Sequence, residues 1–200
     1  WKKVITTADP KHSHEGARCT PSIDGDRLYV VTSDGSIACL KSATGDVVWQ
    51  RQFSDWNGTM MSGWGFSESP LVDGDRVLCT PGGPDALVVC LNKMTGEQIW
   101  ACKPSFEGSA GKDGAGYSSI VVSTALGIKQ YVQLTGKGLI GMKADDGTQL
   151  WTYNRVANGV ANIATPIIDG NLVFASTSYK TGACLVELKK QGDLVVAEEK

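Results

Sequence analysis

Apolar residues fall in short runs along this chain, and polar turn residues interrupt them at regular intervals. Residues 27–32, 37–40, 76–80, 87–91 and 139–142 are such runs, rich in Val, Leu and Ile. Runs this short, bounded by Gly, Asp, Asn and Thr, predict β-strands. Asp24-Gly25 and Asp73-Gly74 sit between apolar residues and predict tight hairpins. No stretch holds apolar residues at a 3.6-residue spacing, so almost no helix is expected.

The pattern repeats with a fixed period. Thr44-Gly45-Asp46-Val47-Val48-Trp49 returns as Thr95-Gly96-Glu97-Gln98-Ile99-Trp100, and more loosely as Asp146-Gly147-Thr148-Gln149-Leu150-Trp151. Successive tryptophans are 51 residues apart, and Trp1 precedes Trp49 by 48. A second motif keeps the same phase. Thr20-Pro21 to Leu28 matches Ser69-Pro70 to Val77 and Thr165-Pro166 to Val173, while the remaining copy, placed at Ser118 to Leu126, lacks the Pro and the Asp-Gly. Each unit divides into four strands, A to D. A ends at the Asp-Gly turn, and D follows the Thr-Gly turn and carries the Trp. Four-stranded units repeated at this length predict a β-propeller. The expected fold is therefore all-β, a partial propeller of about four four-stranded antiparallel blades. The repeats are expected at approximately 1–49, 50–100, 101–151 and an incomplete 152–200. A Trp at the end of an outer strand is expected to pack into the following blade.

Composition narrows the partners. The formal net charge is −2, with no basic patch in the sequence, which argues against nucleic acid. No apolar stretch is long enough to span a membrane as a helix. The chain opens on Trp1 with no leader pattern, which reads as a processed or cut end. Six Cys lack any CxxC spacing and most lie in apolar runs, as buried thiols do. Cys79 and Cys90 flank one hairpin, which leaves a single disulfide open.

The repeat resembles the PQQ-type propeller family of quinoprotein dehydrogenases and of the outer-membrane assembly lipoprotein BamB. That family's docking motif is matched by the Thr, Gly and Trp of residues 39–49 and 90–100, with Cys39 and Cys90 at the small-residue position. Residues 63–74, 114–119 and 155–162 resemble PQQ-binding-like propeller proteins common in planctomycetes. The resemblance implies a ring of seven or eight blades, a fragment or half-assembly here, and an exported, periplasmic setting. Open terminal blades imply self-association. For an enzyme of this kind, PQQ over Ca²⁺ is implied as cofactor, and Glu68 and Asn162 are the residues of ligand type in phase.

Candidate chemistry follows from the long D-to-A connectors. Residues opening strand A in successive units share one phase and are expected to converge on a central funnel: Arg18, Glu68, Tyr117, Ser118 and Asn162, with Trp64 beside them. The structural alternative is that they satisfy channel backbone and water. Trp56, Trp64 and Phe66 offer stacking surface for a quinone or a sugar ring, or pack beneath their own loop. His12, His14 and Glu15 form a local cluster able to bind a metal or to remain an exposed loop. Gly136 to Gly141 spells GxGxxG, but a strand is expected after it and not the helix that a dinucleotide needs. No catalytic set can be assembled. The expected function is a non-catalytic scaffold that binds protein partners or a small polar ligand. A split quinoprotein oxidoreductase and a carbohydrate-binding propeller are the alternatives.

Overall fold

The computed structural model describes residues 1–6 and 18–200, and these form four antiparallel sheets of four strands each. Blade 1 is β1 (Ser22–Asp24), β2 (Arg27–Thr32), β3 (Ser36–Lys41) and β4 (Val47–Gln52). Blade 2 is β5 (Leu71–Asp73), β6 (Arg76–Cys79), β7 (Val88–Asn92) and β8 (Gln98–Cys102). Blade 3 is β9 (Val121–Ser123), β10 (Gln130–Thr135), β11 (Gly138–Lys143) and β12 (Gln149–Tyr153). Blade 4 is β13 (Ile167–Asp169), β14 (Leu172–Thr177), β15 (Gly182–Gln191) and β16 (Leu194–Glu199). It has all four strands where the sequence suggested an incomplete unit. Among the described residues the helical elements are two short 3₁₀ turns, Phe53–Trp56 and Ala125–Gly127. The fold is a partial β-propeller.

Alternation along each strand builds the contacts between blades. Tyr29, Val31, Ile37 and Cys39 of blade 1 pack with Val77, Cys79, Val89 and Leu91 of blade 2. The opposite face of blade 2, through Leu78, Val88 and Cys90, packs with Tyr131, Ile140 and Met142 of blade 3. Val132, Leu134 and Leu139 then meet Val173, Val186 and Leu188 of blade 4. A central blade buries both faces, so its middle strands read as continuous apolar runs with little polar alternation. The same alternation removes the candidate disulfide. Cys79 lies opposite Val89, and Cys90 opposite Leu78, so the two thiols leave opposite faces of the sheet and enter different cores. All six cysteines are free.

The tryptophans dock as the period predicts. Trp1, Trp49 and Trp100 each cover the turn glycine of the next C–D hairpin, Gly45, Gly96 and Gly147. Their Nε1–H groups donate to the carbonyls of Ser42, Lys93 and Ala144 at 2.9, 2.9 and 3.2 Å. The D strands of blades 1 to 3 each carry a register shift one step before the Trp, which faces Cys39, Cys90 or Gly141. Trp151 differs, because blade 4 has no such turn to offer. Its Nε1–H turns to Gln130 Oε1 of its own blade, 2.7 Å away, and its indole fills the space that a side chain on Gly141 would need.

Candidate functional site at the convergence of the connectors

Each connector crosses from an outer strand D to the next inner strand A, and hydroxyls at the entry to strand A tie the blades together. Thr20 N–H donates to Ser69 Oγ at 3.1 Å, Ser69 N–H to Ser119 Oγ at 2.9 Å, and Ser119 N–H to Thr165 Oγ1 at 3.2 Å. These four residues occupy one repeat position. They fix the phase of the third copy, which starts at Ser119 and not at Ser118.

That phase decides which side chains meet. The backbone is extended here, so neighbouring residues point to opposite sides. Two positions before the hydroxyl stand Arg18, Ser67, Tyr117 and Ile163, and all four line one cavity of about 210 Å³. Trp64, Ala161 and Tyr179 complete its wall. The rings of Trp64 and Tyr117 meet edge-on, with centroids 6.0 Å apart. Arg18 Nη1 donates to the Trp64 carbonyl. Ser62 Oγ–H donates to the Val160 carbonyl at 2.7 Å, which leaves Tyr117 O–H as donor to Ser62 Oγ at 2.6 Å. The pocket is therefore shaped mostly by aromatic and aliphatic side chains, and the polar ends of Arg18 and Tyr117 are engaged by the protein.

One position before the hydroxyl, Glu68 and Ser118 turn away from the funnel. Glu68 is only 3% exposed. Its Oε1 accepts the Thr80 N–H, and its Oε2 lies 2.6 Å from Thr80 Oγ1 and 3.2 Å from Gln133 Nε2. Burial pushes its carboxyl up to about 7, against the pull of those hydrogen bonds. Ser118 is buried as well, clamping Leu134 through its hydroxyl, which donates to the Leu134 carbonyl and accepts the Leu134 N–H. Asn162 is fully buried and braces the blade 3 turn, donating to the carbonyls of Thr135 and Gly136 and accepting the Asn158 N–H.

Of the six residues singled out in the sequence, the structure thus brings Arg18, Trp64 and Tyr117 together and places Glu68, Ser118 and Asn162 behind the wall. Trp56 and Phe66 are buried in the core between blades 1 and 2, so only Trp64 of that trio faces the cavity. His12, His14 and Glu15 lie outside the described residues. Gly136 opens the B-to-C turn, and strand β11 follows that turn where a dinucleotide would need a helix. Ser67 and Ile163 were legible only once the hydroxyl phase was known. Tyr179 reaches the pocket from a turn where it and Lys180 both adopt positive φ, 59° and 65°, which no residue in that stretch announces.

Residues 1–199 match the family model described as outer membrane protein assembly factor BamB, a PQQ-type repeat. The chain belongs to that family. BamB from Moraxella catarrhalis has a similar fold at 15% identity and TM-score 0.59, over 98% of this chain and 54% of that one. A quinohemoprotein alcohol dehydrogenase from Comamonas testosteroni is similar at 16% identity and TM-score 0.53, over 89% of this chain and 32% of its own. The computationally designed protein Ika4 is similar at 13% identity and TM-score 0.52, over 90% of this chain and 99% of that one. This BamB-family chain therefore spans about half the length of the BamB structure it resembles. No curated protein sequence matches it. The fold is shared by an assembly factor, a dehydrogenase and a designed protein, so activity has to be argued from the site. Among the described residues no helix is long and apolar enough to cross a membrane.

A quinone held over Ca²⁺ is the cofactor that the resemblance to quinoprotein dehydrogenases implies, and among the described residues the two of ligand type, Glu68 and Asn162, do not fit it. Calcium takes six to eight oxygen ligands. Both oxygens of Glu68 and the side-chain oxygen of Asn162 are already engaged within the protein, and neither residue lines the cavity.

Proposed function

We propose that this chain is a non-catalytic PQQ-like propeller module that acts as a binding scaffold in the bacterial cell envelope, with the central pocket receiving an apolar side chain of a partner protein. The observation that carries the reading is that one repeat position, in all four units, supplies Arg18, Ser67, Tyr117 and Ile163 to a single cavity. A concave, aromatic-lined site with few polar groups suits the anchor residue of an interface. The BamB description of the family, an assembly factor of outer membrane proteins, supports both the envelope setting and a protein partner.

The competing reading, part of a quinoprotein oxidoreductase, has the Comamonas testosteroni fold in its favour. Among the described residues, neither Glu68 nor Asn162 offers it a free side-chain oxygen at this face. A photoreactive side chain placed at Ile163, which is 57% exposed at the pocket edge, tests the proposal. It is expected to crosslink a discrete envelope protein, and Trp64→Ala or Tyr117→Ala is expected to abolish the product. Crosslinking that ignores both substitutions would remove the pocket from the interaction.

A further inference from the structure

Glu68 lies directly behind the pocket, and the hydrogens around its carboxyl can be counted. Thr80 Oγ1 is 2.6 Å from Glu68 Oε2 and 2.7 Å from Gln133 Oε1. The orientation of Gln133 is set by Ser118, whose carbonyl lies 3.1 Å from Nε2 and can only accept. Gln133 Oε1 is therefore an acceptor facing Thr80. Two short oxygen–oxygen gaps meet at a hydroxyl that owns a single proton. With Glu68 ionised, one gap holds two acceptors and nothing between them, in a site closed to water. With Glu68 protonated, both gaps are bridged: Oε2–H donates to Thr80 Oγ1, and Thr80 Oγ1–H donates to Gln133 Oε1. The Thr80 N–H still serves Oε1, and Gln133 Nε2 still serves the Ser118 carbonyl. Unbridged buried acceptors are costly, so the second arrangement is the stable one.

We propose that Glu68 is held as a neutral carboxylic acid, and that this donor completes a strut locking the two walls of the pocket. The strut runs from Glu68 through Thr80 and Gln133 to Ser118. Ser67 precedes Glu68 and Tyr117 precedes Ser118, and both line the cavity. Burial acts in the same direction, raising the carboxyl to about 7. The other titratable groups coupled to it are Cys19 and Cys79, whose thiols burial holds protonated, with Arg51 reaching Cys79 from blade 1. Thr80 and Gln133 are uncharged. An unfolded Glu releases its proton near 4.5, while the folded one keeps it to about 7. The strut is thus complete on the acid side and fails as pH rises through about 7. Its effect on partner binding rests on the pocket reading above; the protonation of Glu68 does not.

The test therefore reads the proton and the wall without any ligand. Infrared spectra of the protein at about pH 6, where free carboxyls are ionised, are expected to show a protonated-carboxyl band that is lost in Glu68→Gln. The indole N–H resonance of Trp64, assigned by Trp64→Phe, is expected to shift with a midpoint near 7 in the wild type and to stay flat in Glu68→Gln. Gln donates to Thr80 as the neutral acid does, so this variant keeps the strut. The carboxyl ¹³C shift of Glu68 in unsubstituted protein supplies the same answer without any variant. An ionised Glu68 at pH 6, or an unchanged Trp64 titration in Glu68→Gln, would overturn the proposal.

Discussion

Ser69 N–H donates to Ser119 Oγ across the boundary between blades 2 and 3, at 2.9 Å, and this bond belongs to a chain of three that links all four blades. A hydroxyl at this position serves two purposes. It satisfies the N–H of the preceding blade at a point where strand pairing has not begun, and it fixes the phase in which side chains face the funnel. Ser119→Ala is expected to cost about 1 kcal/mol, the net worth of one hydrogen bond. Ser119→Thr, with its hydroxyl retained, is expected to cost less. Urea unfolding of the two variants measures the difference, and equal losses would show that the hydroxyl is not what matters.

Gly96 carries the Trp49 indole, and a methyl group there would sit 2.7 Å from its Cδ2. Its φ of +74° adds strain for any other residue. Gly74 has a similar φ, +61°, with open space around it. Gly74→Ala is therefore expected to cost only the backbone term, about 1–2 kcal/mol. Gly96→Ala is expected to cost about 1–3 kcal/mol more, because the indole has to leave the blade interface. Thermal melting of the pair separates strain from docking.

The buried Glu68 makes stability depend on pH in a defined sense. Its folded value, about 7, lies above its unfolded value, 4.5, so the folded state holds the proton longer. Its contribution is fully present below about pH 4.5, declines as pH rises, and is gone above about 7. The span corresponds to a loss on the order of 3 kcal/mol. Glu68→Gln is expected to flatten that part of the profile in denaturant titrations from pH 4 to 8, and a parallel profile would refute the assignment.

Filling the cavity tests its use without removing its walls. Ser67 is half-buried at the pocket and its side chain makes room there. Ser67→Phe is expected to leave the melting temperature within a few degrees of wild type and to abolish the crosslink from Ile163. Retained crosslinking in a folded Ser67→Phe would place the partner elsewhere.

Strands were legible in the sequence because turn chemistry and apolar runs agreed. The expected strand at residues 27–32 is β2, and the expected strand at 76–80 exceeds β6 by Thr80 alone. Thr80 leaves the ladder to bond Glu68, an interaction that no local pattern encodes. The site was half legible. Arg18 and Tyr117 could be named because both lie where a connector opens strand A, and the structure places both at one cavity. Ser118 lies behind the wall: the third copy lacks Pro and Asp-Gly, so its start reads one residue early, and in extended backbone one residue exchanges the funnel for the interior. Glu68 also opens a strand A, yet it stands one residue after the lining position and its side chain points between blades. Tyr179 depends on a left-handed turn that the sequence does not mark.

Calcium-dependent uptake of PQQ by the intact protein, followed by quinone absorbance, tests most directly whether this face is a binding scaffold or a redox site. Glu68 and Asn162 are committed to Thr80, Gln133, Asn158 and the blade 3 turn, so no saturable uptake at micromolar concentrations is predicted. Saturable, calcium-dependent uptake that Glu68→Gln or Asn162→Ala abolishes would contradict the account.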